Sequence, residues 1–577
     1  MPVTRGVHPA AKVDDYIARG WWSTETADGL FRDQVAQRPE RVALVDPANR
    51  EALLGSPPRR LTWAELDSEV CALAARLYRI GLRRGDVLSV QLPNAIELVE
   101  VYLAAWTLGV VVSPLPMQYR EREFLGMAKQ AGFVAFVTTA HFGDRRLASE
   151  IAAVADELPT LEHVIAFGDP AELADLDSAG GARVTALAPQ RADDADRALI
   201  AELIVSDPND ANDCATICWT SGTESEPKGV PRAHLEWLAI CWATVEAPRM
   251  TADDVLLNPF PMVNMAGVNG MFLPWLRTGA TLVQHHPFDL PTFFAQVAQE
   301  RVTYTVAPPA LLWMLLHDEK LLVQVDLSSL TRIGSGSAPL QPAMVRGWQE
   351  KFGIGVINFF GSNEGVGLLS SPEDIPDPDE RARYFPRYGV EGVHWASRVS
   401  EWVGVRLVDP VTGAEITEPG VPGELRINGP TVFAGYLHPE GRANPFDDEG
   451  YLKTGDLFEI AGDRGQYLLY LDRAKDLIIR GGMNIAPAEL EGLIADHPGV
   501  ADVAVIGDPD EVYGERVAAV VALHPDTTLT LDELVEFLKT ERIASYKLPE
   551  RLEIREQLPR NPLGKILKRK LRTETVD

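Results

Sequence analysis

The sequence predicts an α/β protein in which parallel sheets carry helices on both faces, followed by a small α+β domain. From about residue 60, segments with apolar residues at helical spacing alternate with short apolar segments typical of buried strands. Such alternation favours parallel sheets covered on both sides. The last hundred residues change character, as described below. At 577 residues the chain is too long for one hydrophobic core, so at least two domains are expected.

The first clear helix is predicted over "TWAELDSEVCALAARLYRIGL", where Leu66, Val70, Leu73, Leu77 and Ile80 recur at helical spacing. A buried strand, "DVLSVQL", follows it. Further strands are predicted at "CATICW", "TLV", "TYTV", "TRIG" and "VINF", and further helices at "PRAHLEWLAICWATVEA", "LPTFFAQVAQE" and "QPAMVRGWQEKF".

Two stretches interrupt this alternation. Residues 170–213 are rich in Asp and Ala with weak periodicity, which predicts a surface excursion. A second excursion is predicted at residues 371–389.

The C-terminal region has its own pattern. "VADVAVIGDPD" and "RVAAVVAL" are typical of apolar strands, and "LDELVEFLKTER" of a short helix. Together they are enough for one small α+β domain. The segment "DRAKDLIIRGGMN" before it is polar and then carries two glycines, which predicts a joint between domains.

Charge excludes one class of partner. Lys and Arg number 54 and Asp and Glu number 83, so the formal net charge is −29. Binding to nucleic acid needs clustered cations, so nucleic acid is not expected as a partner. The hydrophobic fraction of 46% and the charged fraction of 24% are those of an ordinary globular protein.

Cysteine usage and hydropathy indicate a cytoplasmic protein with no membrane span. The four cysteines, Cys71, Cys214, Cys218 and Cys241, have no spacing typical of zinc or disulfide frameworks. The first twenty residues have no apolar core, so no secretory signal is expected. The longest apolar stretch, residues 101–112, is shorter than the roughly 20 residues that cross a bilayer.

The stretch "TSGTESEPKGVPRAH", residues 220–234, is a candidate phosphate loop. It is not a Walker A loop, because Gly229 rather than Ser or Thr follows Lys228. A strand, a turn rich in hydroxyls and a following helix would still present backbone N–H groups and Lys228 to an anion. Taken alone, the stretch is equally compatible with an ordinary turn between strand and helix.

Further motifs follow in order. "GSGSAPL" (334–340) is a small-residue loop able to lie against a planar ring, and "FFGSNEG" (359–365) places Glu364 where a carboxylate can hold a divalent cation. "GELRINGPTVFAGY" (423–436) precedes "LKTGDLF", in which Asp456 suits two ribose hydroxyls. Each motif has an ordinary alternative: a helix N-terminal acid, a turn residue, or a surface lysine in the basic tail of "PRNPLGKILKR".

Together, from about residue 20 to 570, these motifs resemble the adenylate-forming superfamily of acyl-CoA synthetases, peptide-synthetase adenylation domains and luciferases. The sequence is most similar to acyl-CoA synthetases and aryl-acid-activating ligases. The resemblance implies a large N-terminal domain, 1–474, of doubly wound sheets with helices plus a small β subdomain. It also implies a small mobile α+β C-terminal domain, 475–577.

The resemblance also implies roles for individual residues. Glu364 would be the Mg²⁺ ligand, Lys565 the catalytic lysine, and Lys475 the hinge about which the C-terminal domain rotates. The residues implied to bind ATP are Thr220, Ser221, Gly222, Thr223 and Lys228 at the phosphates, Gly336, Ser337, Ala338, Pro339, Phe360 and Gly361 at adenine, Asn363 at the α-phosphate, and Asp456 and Arg473 at the ribose.

The implied activity is ATP-dependent activation of a carboxylic acid to an acyl-adenylate, then transfer to the thiol of CoA. No general base is needed, because the acid is already ionised near neutral pH. Three alternatives stay open: a protein that stops at acyl-AMP, one that acylates a carrier protein, and a non-catalytic nucleotide- or acyl-binding relative. The sequence does not distinguish a monomer from a homodimer.

The implied acyl pocket is lined mainly by small residues, which favours a bulky, apolar alicyclic, aromatic or branched acid over acetate. Segment 261–267 has no carboxylate, so an amino acid is disfavoured. Asn264 stands where many relatives have His at the carboxylate, and is a further catalytic candidate. The alternative is that the glycines serve turns. The implied lining is Asn264, Met265, Gly267, Ser335, Gly336, Gly361, Gly365 and Gly367.

Two positions depart from the family pattern at the tip of the phosphate loop. Glu224 and Ser225 stand where Thr and Gly are usual. Serine has less access than glycine to positive φ, and a carboxylate repels polyphosphate. Since the other nucleotide motifs are intact, we expect this tip to face solvent and to change ATP binding only modestly; the alternative is a mobile loop with weakened ATP binding.

Overall fold

The structure is a computed structural model of the chain. It describes residues 4–173, 182–220, 227–317, 325–440, 443–474, 476–480, 483–510, 512–541, 543, 545–560 and 566–574. A π-helical segment runs over Val268–Phe272, and short 3₁₀ turns over Ala155–Glu157, Arg398–Glu401 and Ser545–Lys547.

The α-helices are α1 (Ala10–Ala18), α2 (Ala27–Gln37), α3 (Arg50–Leu54), α4 (Trp63–Ile80), α5 (Ile96–Thr107), α6 (Glu121–Ala131), α7 (Leu147–Ala152), α8 (Pro170–Leu173), α9 (Asp194–Ser206), α10 (His234–Glu246), α11 (Met265–Gly267), α12 (Leu273–Thr278), α13 (Leu290–Gln299), α14 (Pro309–His317), α15 (Pro342–Phe352), α16 (Pro378–Arg383), α17 (Pro487–Ala495), α18 (Leu531–Thr540) and α19 (Lys568–Glu574).

The strands are β1 (Val42–Val45), β2 (Arg60–Thr62), β3 (Val87–Val90), β4 (Val111–Pro114), β5 (Ala135–Thr139), β6 (His163–Phe167), β7 (Arg183–Leu187), β8 (Cys214–Thr220), β9 (Lys228–Ala233), β10 (Val255–Asn258), β11 (Thr281–Gln284), β12 (Tyr304–Val306), β13 (Arg332–Gly336), β14 (Gly355–Gly361), β15 (Gly367–Ser370), β16 (Tyr384–Pro386), β17 (Gly404–Val408), β18 (Glu415–Ile416), β19 (Gly423–Asn428), β20 (Leu452–Ala461), β21 (Tyr467–Arg473), β22 (Ile478–Arg480), β23 (Met483–Ile485), β24 (Val500–Asp510), β25 (Gly514–Leu523) and β26 (Arg551–Ile554).

Two large, mostly parallel sheets form the body of the chain. Their strand orders are β15-β14-β13-β12-β10-β11-β1-β2 and β7-β6-β5-β3-β4-β8-β9. The edge pairs β14–β15, β1–β2 and β8–β9 are antiparallel hairpins or bridges, and the inner pairs are parallel. This matches the alternation of strands and helices in the sequence, because parallel neighbours need crossover helices.

The helices α4 and α5 show how local sequence sets this arrangement. α4 begins at a capping box in which Thr62 and Glu65 bond each other's backbone N–H groups, and it ends before Gly81, whose φ is 119°. α5 is buried along its whole length from Ile96 to Trp106. A helix that is buried on all sides belongs in a core, and here one apolar cluster joins α5 to strands of both large sheets, while its Glu97 is paired with Arg50.

Two smaller sheets complete the chain. The antiparallel sheet β16-β21-β20-β19-β17-β18 is the predicted small β subdomain. The C-terminal sheet has the order β23-β22-β25-β24, with β26 beside β25, and packs on α17 and α18. The strands and helix predicted for this region are thus confirmed, whereas the domain boundary at residue 474 stays a prediction.

The predicted surface excursion at 170–213 is wrong for much of its described part. β7 extends the seven-stranded sheet in parallel beside β6, and α9 packs on α4. The Arg79 guanidinium donates to the carboxylate of Asp196 at 2.6 Å. The pattern was weak because α9 buries few side chains against its neighbours, chiefly Asp196 and Ile200.

The excursion predicted at 371–389 is likewise partly internal. It contains α16 and β16, and the Arg381 side chain on α16 is fully buried. Its guanidinium donates to the carbonyl oxygens of Val356 at 2.9 Å and Ile375 at 2.8 Å. The segment is rich in charged residues, which are seldom buried, so its composition predicted a surface position.

All four cysteines are buried and free, as expected. Within the described part of the chain, no helix is long and apolar enough to cross a membrane.

Replacing Arg50 by methionine tests the buried charge cluster near the start of α5. Arg50 is 5% exposed and donates to Asp46 at 3.1 Å and to Glu97 at 2.6 and 2.8 Å. Because Arg50→Met leaves buried carboxylates short of a cation, we expect the free energy of unfolding to fall by about 3–5 kcal/mol. Urea unfolding followed by fluorescence measures it. Arg19→Met, which removes an exposed pair with Asp15, should cost under about 1 kcal/mol; equal losses would contradict the prediction.

Candidate functional site

The β8–β9 hairpin carries the candidate phosphate loop. Thr220 and Lys228 are paired residues at the end of the hairpin from which the connecting loop leaves. The loop between them, with Ser221, Gly222, Thr223, Glu224 and Ser225, lies outside the described residues. The ammonium of Lys228 lies 5.3 Å from the centre of the Tyr436 ring, and the carbonyl oxygen of Gly229 accepts a bond from the N–H of Leu437 at 3.0 Å. The segment 429–437, called here the tyrosine loop, therefore lines one side of this hairpin.

The turn 361–366 between β14 and β15, called here the glutamate turn, presents Glu364 to the same place. Its backbone closes by a bond from the N–H of Gly365 to the carbonyl of Ser362 at 3.1 Å. The Tyr436 hydroxyl donates to Oε1 of Glu364 at 2.9 Å. The N–H of Phe433 donates to the Glu364 carbonyl at 2.9 Å. The carboxylate and its backbone are thus both held by the tyrosine loop.

Asn363 connects the glutamate turn to two other predicted site segments. Its Oδ1 accepts the N–H of Met265 at 2.8 Å, and its Nδ2 donates to the carbonyl of Trp219 at 3.4 Å. One side chain therefore joins the end of β8 to the predicted acyl segment. A threonine, which the family usually has at this position, would offer a single hydroxyl oxygen in place of the separate oxygen and nitrogen with which Asn363 reaches its two partners.

Asn264 caps the short helix α11. Its Oδ1 accepts from the N–H groups of Ala266 at 3.0 Å and Gly267 at 3.3 Å. This is the ordinary behaviour of an N-cap residue. Its oxygen is therefore committed to the backbone, and its catalytic role stays a prediction.

The glycines predicted to line an acyl pocket lie in close contact with their neighbours. A Cβ on Gly267 would overlap the Pro261 carbonyl and lie 2.8 Å from Cα of Met262. A Cβ on Gly367 would lie 3.0 Å from Cδ1 of Ile240, and one on Gly361 3.0 Å from the carbonyl of Val366. Close packing alone therefore requires or favours small residues here, so the pocket stays a prediction.

The end of β13 forms the predicted adenine surface. A Cβ on Gly336 would overlap the carbonyl of Phe359 on β14, so the two strands approach closely. The Ser335 hydroxyl donates to the carbonyl of Ala307 at 2.8 Å. Ser337 has a φ of 70°, and residues 337–339 are exposed beyond the strand. An exposed flat turn at the carboxyl end of a parallel strand is the usual place for a ligand.

Phe360, at the end of β14, connects this surface to the β subdomain. Its ring lies 5.0 Å from that of Phe458 and 5.5 Å from that of Tyr470, on β20 and β21. These contacts place the predicted adenine surface beside the strands that carry Asp456 and Arg473.

Asp456 and Arg473 face each other across β20 and β21. Nε of Arg473 lies 2.6 Å from Oδ1 of Asp456, which is 3% exposed. Burial lowers the pKa of Arg473, but the carboxylates of Asp456 and Glu364 more than offset this, and the net pKa is raised. Arg473 therefore stays charged and lies within electrostatic reach of Glu364.

Sequence reasoning missed Arg232 on β9. Its fully buried guanidinium donates through Nη1 to the carbonyl of Asn363 at 3.0 Å and through Nη2 to that of Thr431 at 2.9 Å. It also missed the role of Tyr436. One feature of the sequence could have indicated Arg232: the oppositely charged Glu236 follows it four residues later, at a spacing that allows an ion pair.

The described residues at the site suit a nucleotide with its metal. No group of three or more metal-ligating side chains occurs among the described residues. A single carboxylate such as Glu364 fits Mg²⁺, which keeps waters and binds one or two carboxylates together with phosphate oxygens. Lys475 and Lys565 lie outside the described residues, so their roles stay predictions.

Comparison with known proteins identifies close relatives. Residues 31–437 match the family described as AMP-binding enzyme, and residues 489–565 match the AMP-binding enzyme C-terminal domain. A medium-chain fatty-acid–CoA ligase of Escherichia coli K12 is 30% identical over 571 residues, covering 97% of this chain and 92% of that protein.

Two further relatives extend this likeness. The 3-[(3aS,4S,7aS)-7a-methyl-1,5-dioxo-octahydro-1H-inden-4-yl]propanoyl:CoA ligase of Rhodococcus jostii RHA1 is 33% identical over 522 residues, covering 89% of this chain and 94% of that protein. The crystal structure of ATP-bound MatB from Rhodopseudomonas palustris superimposes with a TM-score of 0.73 at 26% identity, covering 96% of this chain and 99% of that one.

Replacing Gly267 by alanine tests the close approach beneath Asn264. The added Cβ must displace the backbone of Pro261 and Met262, so we expect a loss of about 1–3 kcal/mol in the free energy of unfolding. Gly270→Ala is the matched control, because a Cβ there meets nothing within 4 Å. Thermal unfolding of both variants measures the difference, and equal melting temperatures would show that the contact is not tight.

Proposed function

The chain belongs to the AMP-binding enzyme family, and we propose that it joins a carboxylic acid to coenzyme A at the expense of ATP, which is cleaved to AMP and pyrophosphate. One observation carries the proposal. Tyr436 contacts both Lys228 of the phosphate hairpin and the Glu364 carboxylate, which also lies within electrostatic reach of Arg473 in the Asp456–Arg473 pair. This arrangement provides partners for the phosphates, the metal and the ribose of one nucleotide.

In the first step an oxygen of the acid attacks the α-phosphorus of ATP. A bond forms between that oxygen and phosphorus, and the bond from phosphorus to pyrophosphate breaks, giving acyl-AMP. Two anions must meet in line, so the site has to hold geometry and offset charge. Lys228 and Thr220 bind phosphate oxygens, Asp456 accepts from ribose hydroxyls, and Arg473 keeps Asp456 in place. Lys565 bridges the acid and the α-phosphate.

Glu364 would hold Mg²⁺, which when bound neutralises charge on the phosphates and on the departing pyrophosphate. The adenine ring lies against residues 336–339 and Phe360. Asn363 fixes the segment at Met265, where the acid enters, relative to the end of β8.

In the second step the thiol sulfur of CoA attacks the acyl carbonyl carbon. The carbon–sulfur bond forms, the bond from carbon to the AMP oxygen breaks, and the thiol proton is released to solvent. We propose that the C-terminal domain turns about Lys475 between the two steps, which removes Lys565 and admits the pantetheine arm. Two of the relatives named above are CoA ligases, which supports CoA as acceptor.

The acid is proposed to be bulky and apolar. Support comes from the Rhodococcus relative, whose name describes a bicyclic propanoate.

Incubation with ATP, Mg²⁺ and a panel of acids tests the function directly. Mass spectrometry should detect acyl-AMP with alicyclic, aromatic or branched acids in preference to acetate, and acyl-CoA once CoA is added. A clear preference for acetate or an amino acid would contradict the proposed acid. Acyl-AMP that is transferred only to an added carrier protein would contradict CoA as acceptor.

Lys565→Ala tests the proposed catalytic lysine. Loss of a cation that acts on the attacking and leaving groups should slow acyl-AMP formation by about 10²–10³-fold. Lys570→Ala, five residues further along and exposed, should retain normal rates. Pyrophosphate release measures both variants. Adenylation at an undiminished rate by the Lys565 variant would rule out the assignment.

A further inference from the structure

Behind the glutamate turn lies a buried network, called here the arginine brace, that consists of Arg232, Glu236, His8 and Trp22. We infer that the arginine brace positions Glu364 for the metal–nucleotide complex, with Arg232 and Trp22 acting as positioning residues on two loops at once. The inference rests on the proposed function and concerns residues that touch neither substrate nor metal.

Arg232 joins the glutamate turn to the tyrosine loop. Its two terminal nitrogens donate to one carbonyl on each, Asn363 at 3.0 Å and Thr431 at 2.9 Å. Those loops carry the Glu364 carboxylate and the Tyr436 hydroxyl that donates to it. A planar guanidinium fixes both carbonyls in one geometry, which a flexible ammonium does not.

The contact between Arg232 and the glutamate turn is tightly packed at Gly365. Gly365 has a φ of 105°, and a Cβ there would overlap the Thr431 carbonyl and lie 2.8 Å from Nη1 of Arg232. The Trp237 ring packs on the guanidinium, with its centre 4.6 Å away. A shift of Arg232 must therefore move the backbone one residue from Glu364.

Glu236 compensates the buried charge of Arg232. Both side chains are fully buried, and Oε2 of Glu236 lies 3.4 Å from Nε of Arg232. The same oxygen accepts the N–H of Ala233 at 2.8 Å, and Oε1 contacts Nε2 of His8. Burial lowers the pKa of Arg232 despite Glu236 and Glu364 nearby, so the pair costs desolvation energy. Two apolar side chains in place of Arg232 and Glu236 would avoid that cost. The charged pair is explained if Arg232 is needed to hold the carbonyls of Asn363 and Thr431 in fixed positions.

The N-terminal segment 4–22 completes the arginine brace at both loops. His8 is held through its backbone, whose N–H donates to Oδ1 of Asn212 at 2.8 Å. Its ring lies 4.8 Å from that of Trp22. The buried indole N–H of Trp22 donates to the carbonyl of Pro430 at 2.9 Å, next to Thr431. The segment therefore supports Arg232 through Glu236 and the tyrosine loop through Trp22.

Trp22→Phe tests the inference with the least disturbance, because it removes one hydrogen bond to the tyrosine loop. Trp275→Phe is the matched control: its buried indole N–H also donates to a backbone carbonyl, that of Ala43, at 2.9 Å, away from the site. Both losses should lower stability similarly. Isothermal titration calorimetry then measures ATP binding with and without Mg²⁺.

We expect Trp22→Phe to weaken ATP binding about threefold with Mg²⁺ present and to leave binding without Mg²⁺ unchanged, since Glu364 acts through the metal. Trp275→Phe should match the unaltered protein in both conditions. If the two variants bind alike, the arginine brace is only structural and the inference is wrong. If the unaltered protein shows no Mg²⁺-dependent ATP binding, the proposed function fails instead.

The double variant Arg232→Gln with Glu236→Gln gives a larger effect while leaving no buried charge unpaired. We expect it to reduce the gain in ATP affinity on adding Mg²⁺ by about tenfold. The control is Arg50→Gln with Glu97→Gln, another buried Arg–Glu pair, in which Arg50 bonds neither loop, and which should keep that gain. A double variant that keeps the full gain would also overturn the inference. If it does not fold, the Trp22 comparison decides.

Discussion

The geometry of the site depends on how closely the glutamate turn packs against the tyrosine loop. At Gly365 the two backbones approach so closely that even one added carbon overlaps the Thr431 carbonyl. The bonds from Tyr436 and Phe433 to Glu364 exist only because of that approach. The large sheet and the β subdomain, which carry different parts of the site, are therefore connected by this contact between two short loops as well as by the apolar cluster in which Phe360 packs on Phe458 and Tyr470.

The contact between the glutamate turn and the tyrosine loop is important because it positions charged groups in a strongly acidic protein. ATP, CoA and an ionised acid are all anions, whereas the chain carries a formal charge of −29. The overall field of the protein therefore opposes their approach, and local cations have to reverse it. Lys228 lies beside the Tyr436 ring, whose hydroxyl contacts Glu364, and Arg473 is paired with Asp456 within electrostatic reach of Glu364. The cations are thus fixed before any substrate arrives, so little reorganisation is needed on binding.

Sequence patterns predicted those parts of the fold in which each element buries a regular stripe of side chains. α4 and the strands β24 and β25 have strong periodicity and were predicted with nearly correct bounds. β7, α9 and α16 were not, because they contact the body of the protein through few residues, some of them charged. Hydrophobic periodicity detects only elements that bury a row of apolar side chains. An element held by a buried guanidinium, such as that of Arg381 donating to several carbonyl oxygens, has no such row.

The site followed a similar division. Short motifs singled out Glu364 and Asp456 as candidates, whereas Asn363 and Arg473 were named only through the family resemblance, and the roles of all four stay predictions. Arg232 and Tyr436 were missed as functional groups although both lie within quoted motifs. Their importance depends on which carbonyl or carboxylate they reach across the fold, and no local pattern contains that information.

The strand β21 has a double attachment at its end. Arg473 turns to Asp456, while the neighbouring Asp472 accepts, through Oδ2, the N–H of Ala488 in the first turn of α17, at 2.9 Å. One peptide unit thus separates the partner of Asp456, the proposed ribose-binding residue, from an anchor of the C-terminal elements. Any swing of those elements about residue 475 would pull on this anchor first. A swing would then displace the end of β21 and with it the proposed ribose site. Nucleotide binding at that site and the orientation of the C-terminal domain would therefore be coupled.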